Sequence, residues 1–275
     1  EQLTLYLAGV KQVVWVRFTQ GWAVSLRHFG LAAADQKIRA RVFQVMNRDY
    51  RGINLEFRES EPTDFKLFAR MDIGGKDPNG LSLMGYDNTP GKDIDNARLH
   101  DWVGGVNAST QQDGYPGYGG VFLESLLSFS MHPPKEVLRS PLRSAMFDQI
   151  FDPFRPDLGA QQLTAAEAAA APDVNTKDSC PAPANGSRTI QAACAVKILG
   201  NVVGTTAAHE LGHSLGLAQP YGSATEYHNA GDKPNRLMDA GAVLPFEERA
   251  EIQGKGPAVF CAEEFTYLQK ILPID

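Results

Sequence analysis

The pentapeptide His209-Glu210-Leu211-Gly212-His213 constrains this chain more than any other feature. On a single helix over 196–217, residues four apart differ by about 40° around the axis, so both imidazoles leave one face a turn apart. That is the geometry two ligands of one zinc ion need. Glu210 sits beside the metal position and is poorly placed to bind it. Its expected role is to polarise a water and shuttle its proton, as general base and then acid. Chance alone produces the pentapeptide in roughly one chain of this length in a hundred, so its continuation matters. Gly216 falls where the helix is expected to stop, and glycine takes the left-handed cap conformation without penalty. The chain can then turn back and deliver position 219 to the metal.

With Gly216 included, the run His209-Glu210-x-x-His213-x-x-Gly216 followed by Asn235-Arg236-Leu237-Met238-Asp239 resembles the metzincin metalloproteases, whose motif ends in a third His or Asp and precedes a methionine turn. The resemblance implies an α+β zincin: a twisted mixed sheet with packed helices, a zinc helix at the cleft, and a small C-terminal subdomain ending in a helix. It implies zinc as cofactor and Met238 as a packing residue beneath the ion. The third-ligand position holds Gln219, whose neutral amide oxygen is a weaker zinc donor than imidazole or carboxylate. Three readings stay open: Gln219 binds directly or through water; His228 substitutes from the loop before the methionine turn; or the site is degenerate. A gluzincin-like ligand, Glu247 or Glu248, is a further alternative. Where many metzincins carry a tyrosine two residues after the turn methionine, this chain has Ala240, with Tyr221 and Tyr227 as substitutes by proximity.

The 275 residues are 43% hydrophobic, enough for a substantial core, and are expected to form a single catalytic domain. The upper subdomain is expected over 1–217, with an insertion at about 103–192 that shapes a cleft wall or lid, and the lower one over 218–275. A net charge of −6 with no Lys/Arg stripe argues against a nucleic-acid surface. No stretch approaches the roughly 18 consecutive apolar residues of a membrane span. Cys180 and Cys194 bracket a loop-like segment and are expected to pair as a disulfide, which fits a secreted or periplasmic protein. Three reduced thiols in the cytosol are the alternative, and Cys261 is expected in the core at a helix start.

Along the chain, strand patterns appear at 11–18, at Ile53, Leu55 and Phe57, and at 65–73; Ile38, Val42, Val45, Met46 and Tyr50 give an amphipathic helix over 35–51. Short strands are expected at 81–86 and 97–102, the first as the cleft's edge strand, to which an extended substrate adds. The aspartates at 72, 77, 87, 93 and 95, with His100, could hold a structural calcium or a second zinc; solvated turn residues are the simpler reading. His132 is read as a loop residue rather than a ligand. Short helices are expected near 141–151 and at the alanine run ending before Pro172, and a terminal helix over 262–272.

The expected activity is therefore zinc-dependent endopeptidase cleavage of a peptide or protein substrate, with His209 and His213 as ligands and Glu210 as base. A propeptide or inhibitor is a conceivable partner. The competing expectation is a peptide-binding module on the same fold with a degenerate zinc site.

Overall fold

The computed structural model describes residues 11–107, 114–183, 185–217, 228–229 and 233–274. In chain order the strands are β1 Gln12–Phe18, β2 Leu55–Arg58, β3 Ala69–Ile73, β4 Gly85–Tyr86, β5 Trp102–Val103 and β6 Gly120–Val121. The helices are α1 Gln20–His28, α2 Asp35–Asp49, α3 Ala145–Phe151, α4 Ala165–Ala170, α5 Thr176–Ser179, α6 Arg188–Gly212, α7 Phe246–Ala250 and α8 Ala262–Ile271. The sheet is mixed and carries packed helices, which is compatible with an α+β arrangement. Its order is β2-β1-β3-β6-β4, with β5 also joined to β3. β1, β2, β3, β5 and β6 pair in parallel; β4 alone runs antiparallel, against β6 through Gly85↔Val121 and Tyr86↔Gly120.

β1 is the strand best specified by its residues. Val14 and Val16 are fully buried against the helices and β-branched side chains suit a pleated surface, so the central position follows. α2 buries Ile38, Val42, Val45 and Met46, a three-and-four spacing that lays one stripe against α6. The two helices approach closely because α6 presents Gly200 and Gly204 to α2. A methyl group at Gly204 would lie 2.7 Å from Cβ of Val45, so any larger residue there would force the helices apart. Tyr50 ends the contact by donating its hydroxyl to the carbonyl of Ala208, at 2.9 Å.

α6 begins at Arg188, eight residues before the expected start, so Cys194 lies inside the helix rather than ahead of it. The disulfide Cys180–Cys194 therefore ties the preceding loop to the body of α6. By length and mean hydropathy α6 with its following turn passes as a membrane span, the only one among the described residues, but 83% of the apolar window is buried inside the fold. It is a core helix. Its apolar character reflects burial on all sides by α2, the sheet and α7.

Two further expectations change. The stretch 103–192 contributes β6, which bridges β3 and β4, so the sheet does not close without it. α1, which carries Trp22, Ser25 and Leu26 into the core, was not anticipated. The 81–86 strand shortens to Gly85–Tyr86, and the terminal helix and the alanine-rich helix form as expected. Thr164 and Glu167 cap the latter reciprocally.

Candidate metal centre and cleft

α6 carries His209 and His213 to the floor of a cleft, both buried, with their Nε2 atoms 3.0 Å apart. Nδ1 of His209 faces the carbonyl of Leu237 at 2.7 Å. A carbonyl only accepts, so the proton sits on Nδ1 and the Nε2 lone pair is free. His228 completes the group: its ring stacks on His209 at 5.3 Å and meets His213 edge-on at 5.1 Å. One nitrogen from each of the three rings lies within 4.8 Å of the others, and the trio can hold a metal ion. Ligand nitrogens about 2.0–2.1 Å from a tetrahedral ion are roughly 3.3 Å apart, close to the observed Nε2 spacing. Burial pushes His209 down to about 3 and His213 well below the usual imidazole range, and lowers His228 as well. All three are therefore neutral, the form that donates to a metal.

The second helix-borne feature is the turn after His213. Residues His213–Leu217 form a wider π-type turn in which Gly216 has φ +105° and ψ 4°. A methyl group there would also lie 2.7 Å from the Tyr267 hydroxyl oxygen, so glycine is required twice over. The helix stops where the sequence places its stop. Gln219, Tyr221 and Tyr227 lie outside the described residues. His228 is the residue the described structure brings to the pair.

Met238 is buried, and a methyl group on Gly212 would lie 2.7 Å from its sulfur. Gly212 thus lets the turn around Met238 pack under α6 between His209 and His213. The same turn supplies the Leu237 carbonyl that orients His209, while the Met238 carbonyl accepts from the Asn229 N–H, beside His228. The sequence marks Met238 as a packing residue; the orienting carbonyl of Leu237 leaves no signal there, since any residue could supply it.

Glu210 is buried against the edge strand β4. Burial pushes its carboxyl up to about 8, partly offset by a hydrogen bond from the backbone N–H of Asp87. A cation held by the imidazoles would favour its ionised form. Behind it, the Thr89 hydroxyl lies 3.2 Å from Oδ1 of Asp87 and 3.2 Å from Oδ1 of Asp101, and Ser214 donates to Asp101 at 2.8 Å. Burial raises both aspartates. The cleft encloses about 700 Å³ and is lined by β4, by 138–142, by 240–242 and by Arg249 on α7.

The remaining expectations separate clearly. Asp72 accepts from Arg17, Arg70 and Trp102, Asp77 from the N–H groups of Asn79, Leu81 and Leu83, and Asp93 from those of Arg98 and Leu99. Among the described residues these aspartates and exposed His100 do not gather into a calcium or second zinc site. They are spent on local N–H groups and arginines. Glu248 accepts from the Asn235 N–H at 2.7 Å and Glu247 from the Ser144 hydroxyl, so neither serves the imidazoles. Cys261 is half-buried and caps α8 rather than filling the core. His132, exposed, lies near the half-buried Asp148 and Asp152 at 3.4 and 3.6 Å, a second trio whose ligand atoms are close enough to hold a metal ion. Asp152 there is already paired with Arg155 at 2.9 Å. No family model, no curated protein and no solved structure matches the chain.

Proposed function

We propose that the chain is a zinc-dependent endopeptidase of metzincin type, with His209, His213 and His228 as ligands and Glu210 as general base. The observation that carries this reading is the convergence of three neutral imidazoles beside a buried carboxylate, under β4, which among the described residues is the edge of the sheet. When bound, the zinc ion supplies Lewis acidity, which brings the ionisation of water toward neutral pH and polarises the carbonyl under attack. The chain's own residues do the rest. β4 pairs with the substrate backbone and sets the scissile bond over the imidazoles. Glu210 takes the proton of the attacking water on its carboxylate and passes it to the leaving amine nitrogen. The Asp87 N–H holds that carboxylate in place. The Leu237 carbonyl fixes the His209 tautomer, the orienting role that outer partners of metal-bound histidines perform. The disulfide accords with an oxidising, secreted or periplasmic setting.

The test is elemental analysis of the purified protein together with digestion of an unfolded protein, for wild type and Glu210→Gln. One zinc per chain is expected in both, with hydrolysis falling about 10²- to 10⁴-fold in the variant. Full activity in Glu210→Gln would remove Glu210 from the chemistry. Stoichiometric zinc without hydrolysis of any unfolded protein would favour a peptide-binding module instead.

A further inference from the structure

The cleft wall contains a cation that the hydrolytic reading leaves unused. Arg249, on α7, is only 6% exposed and lines the cavity beside the imidazoles and Glu210. Its guanidinium carries five N–H donors. Among the described residues one of its nitrogens donates to a partner, from Nη2 to the Gly241 carbonyl at 2.8 Å, and Nε is buried with none. Among the described residues no carboxylate comes within ion-pair distance of it; Glu210 and Glu248 attract it only from farther away. Glu248, its neighbour in sequence, is turned to the Asn235 N–H. Burial lowers the Arg249 pKa to about 10, so it stays charged at neutral pH. A buried, charged and largely unpaired arginine is costly unless something completes it.

Much of the remaining wall is apolar, including Leu83, Met84, Phe129 and Leu142, while Asp87 and a second arginine, the exposed Arg139, also line it. A largely apolar sleeve with one buried planar cation at Arg249 fits an aliphatic stem that ends in a carboxylate, which a guanidinium can hold through two parallel hydrogen bonds. Resting on the peptidase reading above, we infer that Arg249 determines specificity: the cleft accepts a substrate carboxylate close to the scissile bond, from a glutamate or aspartate side chain or from the chain terminus.

The experiment has two arms. Zinc-loaded wild type is given peptides identical except for Glu, Gln or Leu at the position flanking the cut site, each with a free or an amidated C-terminus. Glu over Gln by about 10- to 100-fold in kcat/KM is expected, the size of a charge-assisted hydrogen bond in a closed site. In Arg249→Met the ratio is expected to collapse toward one; being internal to each protein, it is unaffected by a reduced folded fraction. Preference for Glu that survives amidation assigns the side chain, and cleavage confined to free C-termini assigns the terminal carboxylate. Equal cleavage of Glu, Gln and Leu peptides, whether free or amidated, overturns the inference while leaving the peptidase reading intact. If no peptide is cut, that reading fails, and the cavity is then judged by calorimetric binding of hexanoate against hexan-1-ol. Tighter binding of hexanoate, lost in Arg249→Met, supports the carboxylate site; equal binding of the two overturns it.

Discussion

Gly85→Ala is the sharpest perturbation the cleft offers, because it alters neither a ligand nor the base. Gly85 lies on β4 directly against Glu210. A methyl group added there would sit 2.7 Å from both Cγ and Cδ of Glu210, and closer still to Oε1, where ordinary contact begins at 3.4 Å. The carboxylate must therefore retreat by at least about 0.7 Å, or β4 must lift off α6. Overpacking of this kind costs about 1–3 kcal/mol of stability. A catalytic group misplaced by about 1 Å can cost about 10²-fold in rate. Wild type and Gly85→Ala are compared by kcat/KM on one peptide, bound zinc and thermal unfolding. The expected pattern is zinc retained at one per chain, a Tm lowered by several degrees, and kcat/KM down about 100-fold. Gly159→Ala is the control: its positive φ, 77°, disfavours alanine, but nothing lies within 4 Å of the added methyl, so it should cost stability and leave kcat/KM alone. Wild-type kcat/KM in Gly85→Ala would refute the placement of β4 over Glu210.

His228→Ala should weaken zinc binding by more than about 100-fold, since losing a ligand exceeds the loss of an orienting partner, whereas Gln219→Ala should leave it unchanged; chelator competition reads both, and the reverse pattern would return the third position to Gln219. Burial pushes the Asp49 carboxyl up to about 7 from 3.8, against the pull of Arg48. The folded state therefore binds the proton more tightly, its contribution is complete below about pH 4, and stability falls as pH rises toward 7, by about 4 kcal/mol over that window. Asp49→Asn should flatten this slope in denaturant titrations between pH 4 and 8, and an unchanged slope would exclude Asp49 as its source. Removing the disulfide with Cys180→Ser and Cys194→Ser, which closes a separation of 14 residues, should cost about 3 kcal/mol, a Tm drop on the order of 10 °C. An unchanged Tm would show that the loop is held by packing alone.

What could be read from the sequence was information carried within one or two turns of chain. The helical spacing of His209 and His213, the stop at Gly216 and the stripe of α2 are local geometry, and each appears where the residues put it. The C-terminal boundary of α6 was legible because glycine at positive φ marks it, whereas its start was not, since the Pro- and Gly-rich run before Arg188 looks like continuing loop. β6 is two residues long and has no period to detect; only the pairing of Val121 with both Ile73 and Gly85 defines it. Composition misled at the aspartates. Their density between 72 and 95 suits a cation, but the partners that consume them, Arg17, Arg70 and several backbone N–H groups, are recognised only after folding.

The same division runs through the candidate site. The two helix histidines and Glu210 needed one turn of backbone, but His228 reaches them because the methionine turn packs under Gly212 and holds Asn229 through the Met238 carbonyl. That contact depends on Gly212, a glycine within the His209–His213 pentapeptide itself. Arg249 was hidden for a related reason: in Phe246-Glu247-Glu248-Arg249 an arginine after two glutamates reads as a solvated pair on a helix. Both glutamates instead turn to Ser144 and Asn235, which leaves the cation facing the cavity without a direct ion pair among the described residues. A buried charge can stay unpaired in this way only when its partner arrives from outside the chain, or when its cost is met elsewhere in the fold. The comparison of Glu and Gln peptides decides between those two, because only the first makes the charge visible to a substrate.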